Sequence, residues 1–213
     1  MTKPEIAQAA VAALKTEYPD AVCSLVSRSP LELLIATRLS AQCTDARVNL
    51  VTPALFARFP DLDAFCAASA AEIAPYIRSC GLYQTKARDI YAMCCAIRDR
   101  FGGEVPHTLD DLTSLPGVGR KTANLIMGDI YGAPAVVADT HCIRINNRLG
   151  LCDSKDPLKV ERQLRALLPP EESNAYCHRM VLHGRAVCTA RKPACSRCCM
   201  ASFCPRVGVT TAE

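Results

Sequence analysis

The sequence predicts an all-α protein. Helix-start signals recur along the chain, apolar residues repeat at helical spacing with no convincing strand alternation, and glycines fall where the apolar runs stop. Half of the 213 residues are apolar, enough to bury a sizeable core in one large domain or two small ones.

Taken in order, an Ala-rich stretch carrying Glu5, Lys15 and Glu17 reads as a helix over 4–17, not as the apolar region of an export signal. Ser29-Pro30-Leu31-Glu32 combines a capping box with proline at the first helical position and leads into Leu33, Leu34, Ile35 and Leu39, a helix over 30–41. Helices over 44–58 and 61–67 follow, and Ser69-Ala70-Ala71-Glu72 repeats the capping device to open one over 70–79. The next, 84–100, stops at Gly102-Gly103. Then come 109–115, 120–131 ending at Gly132, and 140–149 ending at Gly150. Asp156-Pro157 supplies an N-cap and a first-turn proline for 156–168, and 174–187 completes the set. Gly132-Ala133-Pro134 is the break at which the chain leaves one helical lobe for another. There are no internal repeats or low-complexity linkers.

Fourteen cysteines would suit a secreted disulfide framework, but the N-terminus lacks a signal-peptide layout, so a reduced cytoplasmic protein is expected. No uncharged apolar run approaches the roughly 20 residues a bilayer requires, and a soluble protein follows. The net charge of +4 is modest but unevenly placed. No acidic residue lies between Asn174 and Ala212, where Arg179, Arg185, Arg191, Lys192, Arg197 and Arg206 all fall. That segment is an anion-seeking surface, to be read as phosphate contacts or as a solvated face.

Two motifs carry chemistry. In Leu115-Pro116-Gly117-Val118-Gly119-Arg120-Lys121, Thr108 can cap a short helix through Leu115, Pro116-Gly117 suits the centre of a type II turn, and Gly119 lets backbone approach a ligand as the next helix begins. Amides there can bind phosphate without reading sequence. A plain helix-turn-helix connection is the alternative. Lys121 sits in the first turn, where the helix dipole disfavours an ammonium and so favours the free amine a nucleophile needs. From the hairpin alone, a simple phosphate contact is an equal reading. Asp139, in Val137-Ala138-Asp139-Thr140-His141, is an N-cap whose carboxylate could also serve as a fixed negative charge beside a developing cation. Helical spacing puts His141, Arg144 and Arg148 on one face, which could meet DNA or solvent.

The second motif is Cys188, Cys195, Cys198 and Cys204, spaced C-x6-C-x2-C-x5-C. Zinc ribbons usually offer two short Cys-x-x-Cys knuckles, whereas only Cys195 and Cys198 form one among these four. An iron–sulfur cluster is therefore the better fit. Cys199 breaks the spacing and stays outside the set. Cys23, Cys66, Cys80, Cys94 and Cys95 lie in helical stretches and read as small core residues.

From about Ser29 to Cys204 the chain resembles the endonuclease III family, the iron–sulfur branch of the helix-hairpin-helix DNA glycosylases. The resemblance rests on Leu39 to Asp45 (LSAQCTD), Gly81-Leu82-Tyr83, Leu115 to Ala123, Val137 to Arg148, and the four cysteines, in that order. It implies a helix-hairpin-helix DNA glycosylase fold: a six-helix barrel domain over 23–133, with the hairpin at about 108–131, and a second helical domain from 1–22 and 134–213 whose 188–204 loop holds a [4Fe-4S] cluster, with DNA lying between the two. By motif, Lys121 becomes the nucleophile and Asp139 its carboxylate partner. Gln42 fills the space left by an extruded base, Leu82 is the wedge opposite it, and Gly117 and Gly119 offer backbone to phosphate. Arg144, Arg191 and Lys192 are further expected DNA contacts. The implied activity is excision of oxidised pyrimidines from double-stranded DNA, followed by strand cleavage at the abasic site, by a monomer working with the chromosome. Thr113 stands where some close relatives carry glutamate, and Cys43 and Cys199 also depart from the common pattern. A thymine mismatch glycosylase shares the scaffold. An adenine-removing one would lack a lysine at the position of Lys121, and a non-catalytic DNA-binding iron–sulfur module is the remaining alternative.

Overall fold

The computed structural model describes residues 1–213 and contains eleven α-helices, three short 3₁₀ segments and no strand. It divides into two compact units, Cys23–Tyr131 and a discontinuous one made of Met1–Val22 with Gly132–Glu213. No helix is long and apolar enough to cross a membrane.

The discontinuous unit holds α1 (Lys3–Glu17), and Cys23–Tyr131 holds α2 (Pro30–Ser40), α3 (Asp45–Arg58), α4 (Leu62–Ala67), α5 (Ala70–Ile73), α6 (Tyr83–Phe101), α7 (Leu109–Thr113) and α8 (Arg120–Asp129). Side-chain caps begin most of them. Ser29 Oγ accepts from the Glu32 amide at 3.2 Å, but Glu32 reaches back to the Arg28 amide at 2.6 Å and not to Ser29, so the expected box is shifted by one residue. Ser69 and Glu72 form the complete reciprocal box. The expected helix over 70–79 is instead a short α5 followed by a 3₁₀ segment, Ala74–Cys80. Pro75 explains the change, since it lacks the N–H that would continue the α-helical ladder. The core of this unit is the apolar stripe of α2 (Leu33, Leu34, Ile35, Leu39) packed with Phe59, Phe65, Ile77 and Ile90, all nearly inaccessible.

In the other unit α11 (Ser173–Ala186) is the hub against which α1 and α9 (Thr140–Arg148) pack, with α10 (Pro157–Arg165) completing it. Ala7, Ala10 and Leu14 of α1 and Tyr176 and Met180 of α11 are buried. The Tyr176 hydroxyl satisfies itself by donating to Asn146 Oδ1 at 2.6 Å, as a buried phenol must. Glu172, just before α11, accepts from Lys15 Nζ of α1 and from Arg179 Nη1 at 2.8 Å. Hydrogen bonds from Lys15 first and Arg179 second hold its carboxyl below the usual range.

The depressed Glu172 carboxyl contributes stability that is present above its unfolded value of 4.5 and is lost as pH falls through the lower folded one. Glu172→Gln should therefore cost about 1–3 kcal/mol at neutral pH, because it leaves the buried Arg179 without its counter-charge. Denaturant melts of both proteins at pH 7 and in acid check this. A deficit that does not shrink on acidification would contradict it.

Candidate active site and cysteine pocket

The hairpin begins with α7, whose N-cap Thr108 accepts from the Asp111 amide at 3.1 Å. The turn that follows is closed by the Val118 amide donating to the Leu115 carbonyl at 3.2 Å, with buried Leu115 and Val118 as its apolar feet. Gly117 has φ +73°, the third position of a type II turn. It is required for a second reason as well. A β-carbon there would lie 2.8 Å from Arg38 Nε and 2.9 Å from Asp89 Cβ, the ion pair on which the turn rests. Gly119 is the N-cap of α8, in extended backbone, and no side chain caps the helix start. Nothing lies within 4 Å of where its β-carbon would be. Lys121, in the first turn of α8, is exposed.

Asp139 is the extended N-cap of α9, and its Oδ1 accepts from the Cys142 amide at 2.7 Å. That bond fixes the carboxylate while Oδ2 has no hydrogen-bond partner in the protein. The carboxylate is half-buried. Gln42 and Leu82 share a feature no spacing rule reveals. They are two of only three non-glycine residues with positive φ, at +54° and +47°. Both are exposed, Leu82 by 63%, so each loop holds a side chain outward in backbone that L-residues rarely adopt.

Arg144, expected to contact DNA, is engaged within the protein. Its guanidinium is half-buried and donates to the Cys188 carbonyl from Nη2 at 2.8 Å and from Nε at 3.2 Å, and to the Gly184 carbonyl at 3.2 Å. Arg148 does the same one turn on, giving Nη1 to the Thr189 carbonyl at 2.7 Å and Nη2 to the Ala190 carbonyl at 2.8 Å. A buried guanidinium needs acceptors, and the backbone of 184–190 supplies them. The two arginines hold the cysteine strap. Arg191 and Lys192 are exposed on that strap, Lys192 Nζ lying 3.4 Å from Glu213 Oε1.

Cys188, Cys195, Cys198 and Cys204 line one cavity, together with apolar Ile145, Leu149 and Met200, while Cys199 is not among its lining. No three metal-ligating side chains close around a single ion. The donor set suits soft iron of a multinuclear cluster, and the environment favours thiolate at Cys198. That thiol is pulled down to about 4 by a hydrogen bond from Cys199 and then by His183 and the Met200 amide. Cys199, raised by the same contact, stays a protonated donor. His183 is fully buried, with Nε2 3.4 Å from Cys198 Sγ and Nδ1 3.2 Å from the Tyr18 hydroxyl. Neither His183 nor Tyr18 was legible as part of the site, since neither belongs to the cysteine spacing.

A helical hairpin ahead of an exposed lysine, with a four-thiol strap elsewhere in the chain, defines an iron–sulfur DNA repair protein of the helix-hairpin-helix class. The family model for the "HhH-GPD superfamily base excision DNA repair protein" matches residues 35–170, and that for the "Iron-sulfur binding domain of endonuclease III" matches residues 188–204. Endonuclease III of Synechocystis sp. is 47% identical over 193 residues, covering 90% of this chain and 88% of that one. A solved trapped endonuclease III–DNA covalent intermediate superposes with a TM-score of 0.90 at 43% identity, covering 97% of each chain. A thermostable thymine-DNA glycosylase shares the fold, with a TM-score of 0.84 at 21% identity, covering 94% of this chain and 95% of that one. The chain belongs to the endonuclease III family, and its cofactor is an iron–sulfur cluster of the 4Fe-4S type.

Gly184 sets the approach of α11 to α9: a β-carbon there would lie 2.3 Å from His141 Nδ1 and 3.0 Å from Arg144 Nη2. Gly184→Ala should therefore cost about 1–3 kcal/mol through overpacking and loosen the Arg144 grip on Cys188. The expected outcome is less iron and less visible absorbance per purified chain than in the parent, measured side by side. Equal iron content would show that the strap holds without this contact.

Proposed function

We propose that Lys121 is the nucleophile and Asp139 its carboxylate partner in a bifunctional DNA glycosylase and abasic-site lyase of base excision repair acting on oxidised pyrimidines in duplex DNA. The observation that carries the reading is the exposed Lys121 amine in the first turn of α8, directly behind a turn whose backbone is open at Gly119. The turn and helix start would take a phosphate of the damaged strand on their amides, fixing register without reading sequence. Gln42 and Leu82 would enter the duplex as the damaged base leaves it.

With the base extruded, the Lys121 amine attacks the sugar C1′ as the bond to the base breaks. The departing base carries away the bonding electrons and takes a proton. Asp139 supplies a fixed negative charge beside the cationic sugar, and its unengaged Oδ2 can accept a proton during ring opening. The Schiff base on Lys121 then acidifies the 2′ hydrogen, the 3′ phosphate leaves by β-elimination, and hydrolysis returns the amine. Cys188, Cys195, Cys198 and Cys204 would hold the cluster, whose contribution is to cross-link the strap bearing Arg191 and Lys192 for contact with the DNA backbone. A DNA substrate puts the enzyme with the chromosome, in the cytoplasm.

Borohydride trapping on a duplex with one thymine glycol tests the nucleophile. Lys121→Ala should lose the covalent band while still binding the lesion, and a retained band would remove the assignment. Asp139→Asn should slow base removal by about 10²- to 10⁴-fold with little change in binding. An unchanged rate would leave Asp139 a helix cap only. Replacing Arg191 and Lys192 with Ala should weaken binding on all sequences and reduce the slope of log K against log salt by about two, since each phosphate contact contributes about 0.9. An unaltered slope would take the strap off the DNA.

A further inference from the structure

Lys86 lies in the first turn of α6, in the run Gln84-Thr85-Lys86-Ala87-Arg88, where an exposed lysine would be ordinary. It is instead 1% exposed. Its Nζ donates to the Leu39 carbonyl at 2.8 Å and to the Cys80 carbonyl at 2.6 Å. No carboxylate faces it. Its surroundings are the thiols of Cys43 and Cys80 and the Arg38 guanidinium, and burial pulls the lysine below its ordinary value. The Cys80 thiol is itself pushed up to about 11 by burial, so it remains neutral beside the lysine.

A buried ammonium without a counter-ion is expensive, and an apolar side chain would fill the same space more cheaply. What the lysine gains is a pair of orphan acceptors. Leu39 lies in the last turn of α2, and Cys80 ends the 3₁₀ segment, so both carbonyls lack a partner in their own helix and sit at the negative end of a helical turn. Each opens one of the two strained loops. Gln42, at φ +54°, comes three residues after Leu39, and Leu82, at φ +47°, two residues after Cys80. The grip on the second loop is double, because the Lys86 amide also takes the Leu82 carbonyl at 3.0 Å.

We propose that Lys86 is a positioning residue for base extrusion: its ammonium ties the carbonyls that begin the Gln42 and Leu82 loops to one point and so holds both exposed side chains in register for entry into the duplex. Lys86 touches no substrate. It acts through two loops otherwise independent in sequence, and the proposal rests on the reading of Gln42 and Leu82 as the residues that enter the helix stack.

The test compares two substrates under single-turnover conditions. Removal of thymine glycol requires a stacked base to be displaced, whereas cleavage at a preformed abasic site does not. Lys86→Met keeps the bulk and removes the donors. It should slow thymine glycol removal by about tenfold or more, while abasic-site cleavage falls less than about threefold. A loss of general stability would lower both alike. Lys86→Gln keeps a donor that can reach one carbonyl and should show the same selective loss to a smaller degree, which also supplies the ratio if the methionine variant does not fold. Equal losses on the two substrates, or failure of both variants to fold, would make Lys86 a stability residue, and no loss on either would leave it without a role in the reaction; each of these overturns the proposal. Gln42→Ala and Leu82→Ala run alongside separate the two levels of argument. If they remove thymine glycol at the parent rate, the reading of the loops is wrong. If they are impaired and Lys86→Met is not, only the role of Lys86 is.

Discussion

Every helix end leaves backbone groups that the helix cannot satisfy, and a fold assembled from eleven short helices has many ends. Most N-termini here are closed by a side chain one residue outside the helix: Thr2, Ser29, Thr44, Asp61, Ser69, Thr108, Asp139 and Asp156 each accept from an amide of the first turn. Three α-helices lack such a cap. For α11 the preceding 3₁₀ turn leads straight in. The other two are α8, beginning at Gly119 behind the hairpin, and α6, beginning at the left-handed Leu82. A start left uncapped is tolerable where water or a phosphate completes it. Two of the three uncapped starts are thus the ones proposed to meet DNA.

The same requirement at the C-terminal side explains the buried cations. Lys86 at the ends of α2 and the 3₁₀ segment, and Arg144 and Arg148 against the carbonyls that follow α11, are long side chains turned inward because the backbone offers acceptors there. Charge that would ordinarily lie on the surface becomes a tie between segments distant in sequence. In one unit the tie fixes two loops, and in the other it fixes the strap that carries Cys188. The number of basic residues therefore overstates how many are available to a polyanion.

This is also where sequence reasoning reached its limit. Caps and stops are local, a few residues decide them, and the helices from Lys3 to Ala186 could be read in order with most ends off by a residue or two, the end of the expected 156–168 helix falling three residues early at Arg165. Pro75 was the visible exception, and its missing N–H turned an expected helix into a 3₁₀ segment. The motif carrying Lys121 and the cysteine spacing were legible for the same reason, being written in contiguous residues. What could not be read was the direction of a face. Helical periodicity put Arg144 and Arg148 on one stripe, and nothing in that stripe says that the 184–190 backbone covers it. His183 and Tyr18 stand 165 residues apart and meet only through folding.

Lys86 shows the limit most sharply. Its neighbours Gln84, Thr85, Arg88 and Asp89 make a polar helix start in which a lysine carries no signal, and its acceptors belong to residues 47 and 6 positions away. Two positive-φ residues would each be a local oddity if considered alone. Considered with a shared buried ammonium, they form one assembly in which the strain of each loop is held from the same point. Backbone held off its preferred basin relaxes unless neighbours over-determine it, and a flexible salt-bridged lysine on the surface could not do that. An ammonium locked in the core, with directional bonds to both loops, can.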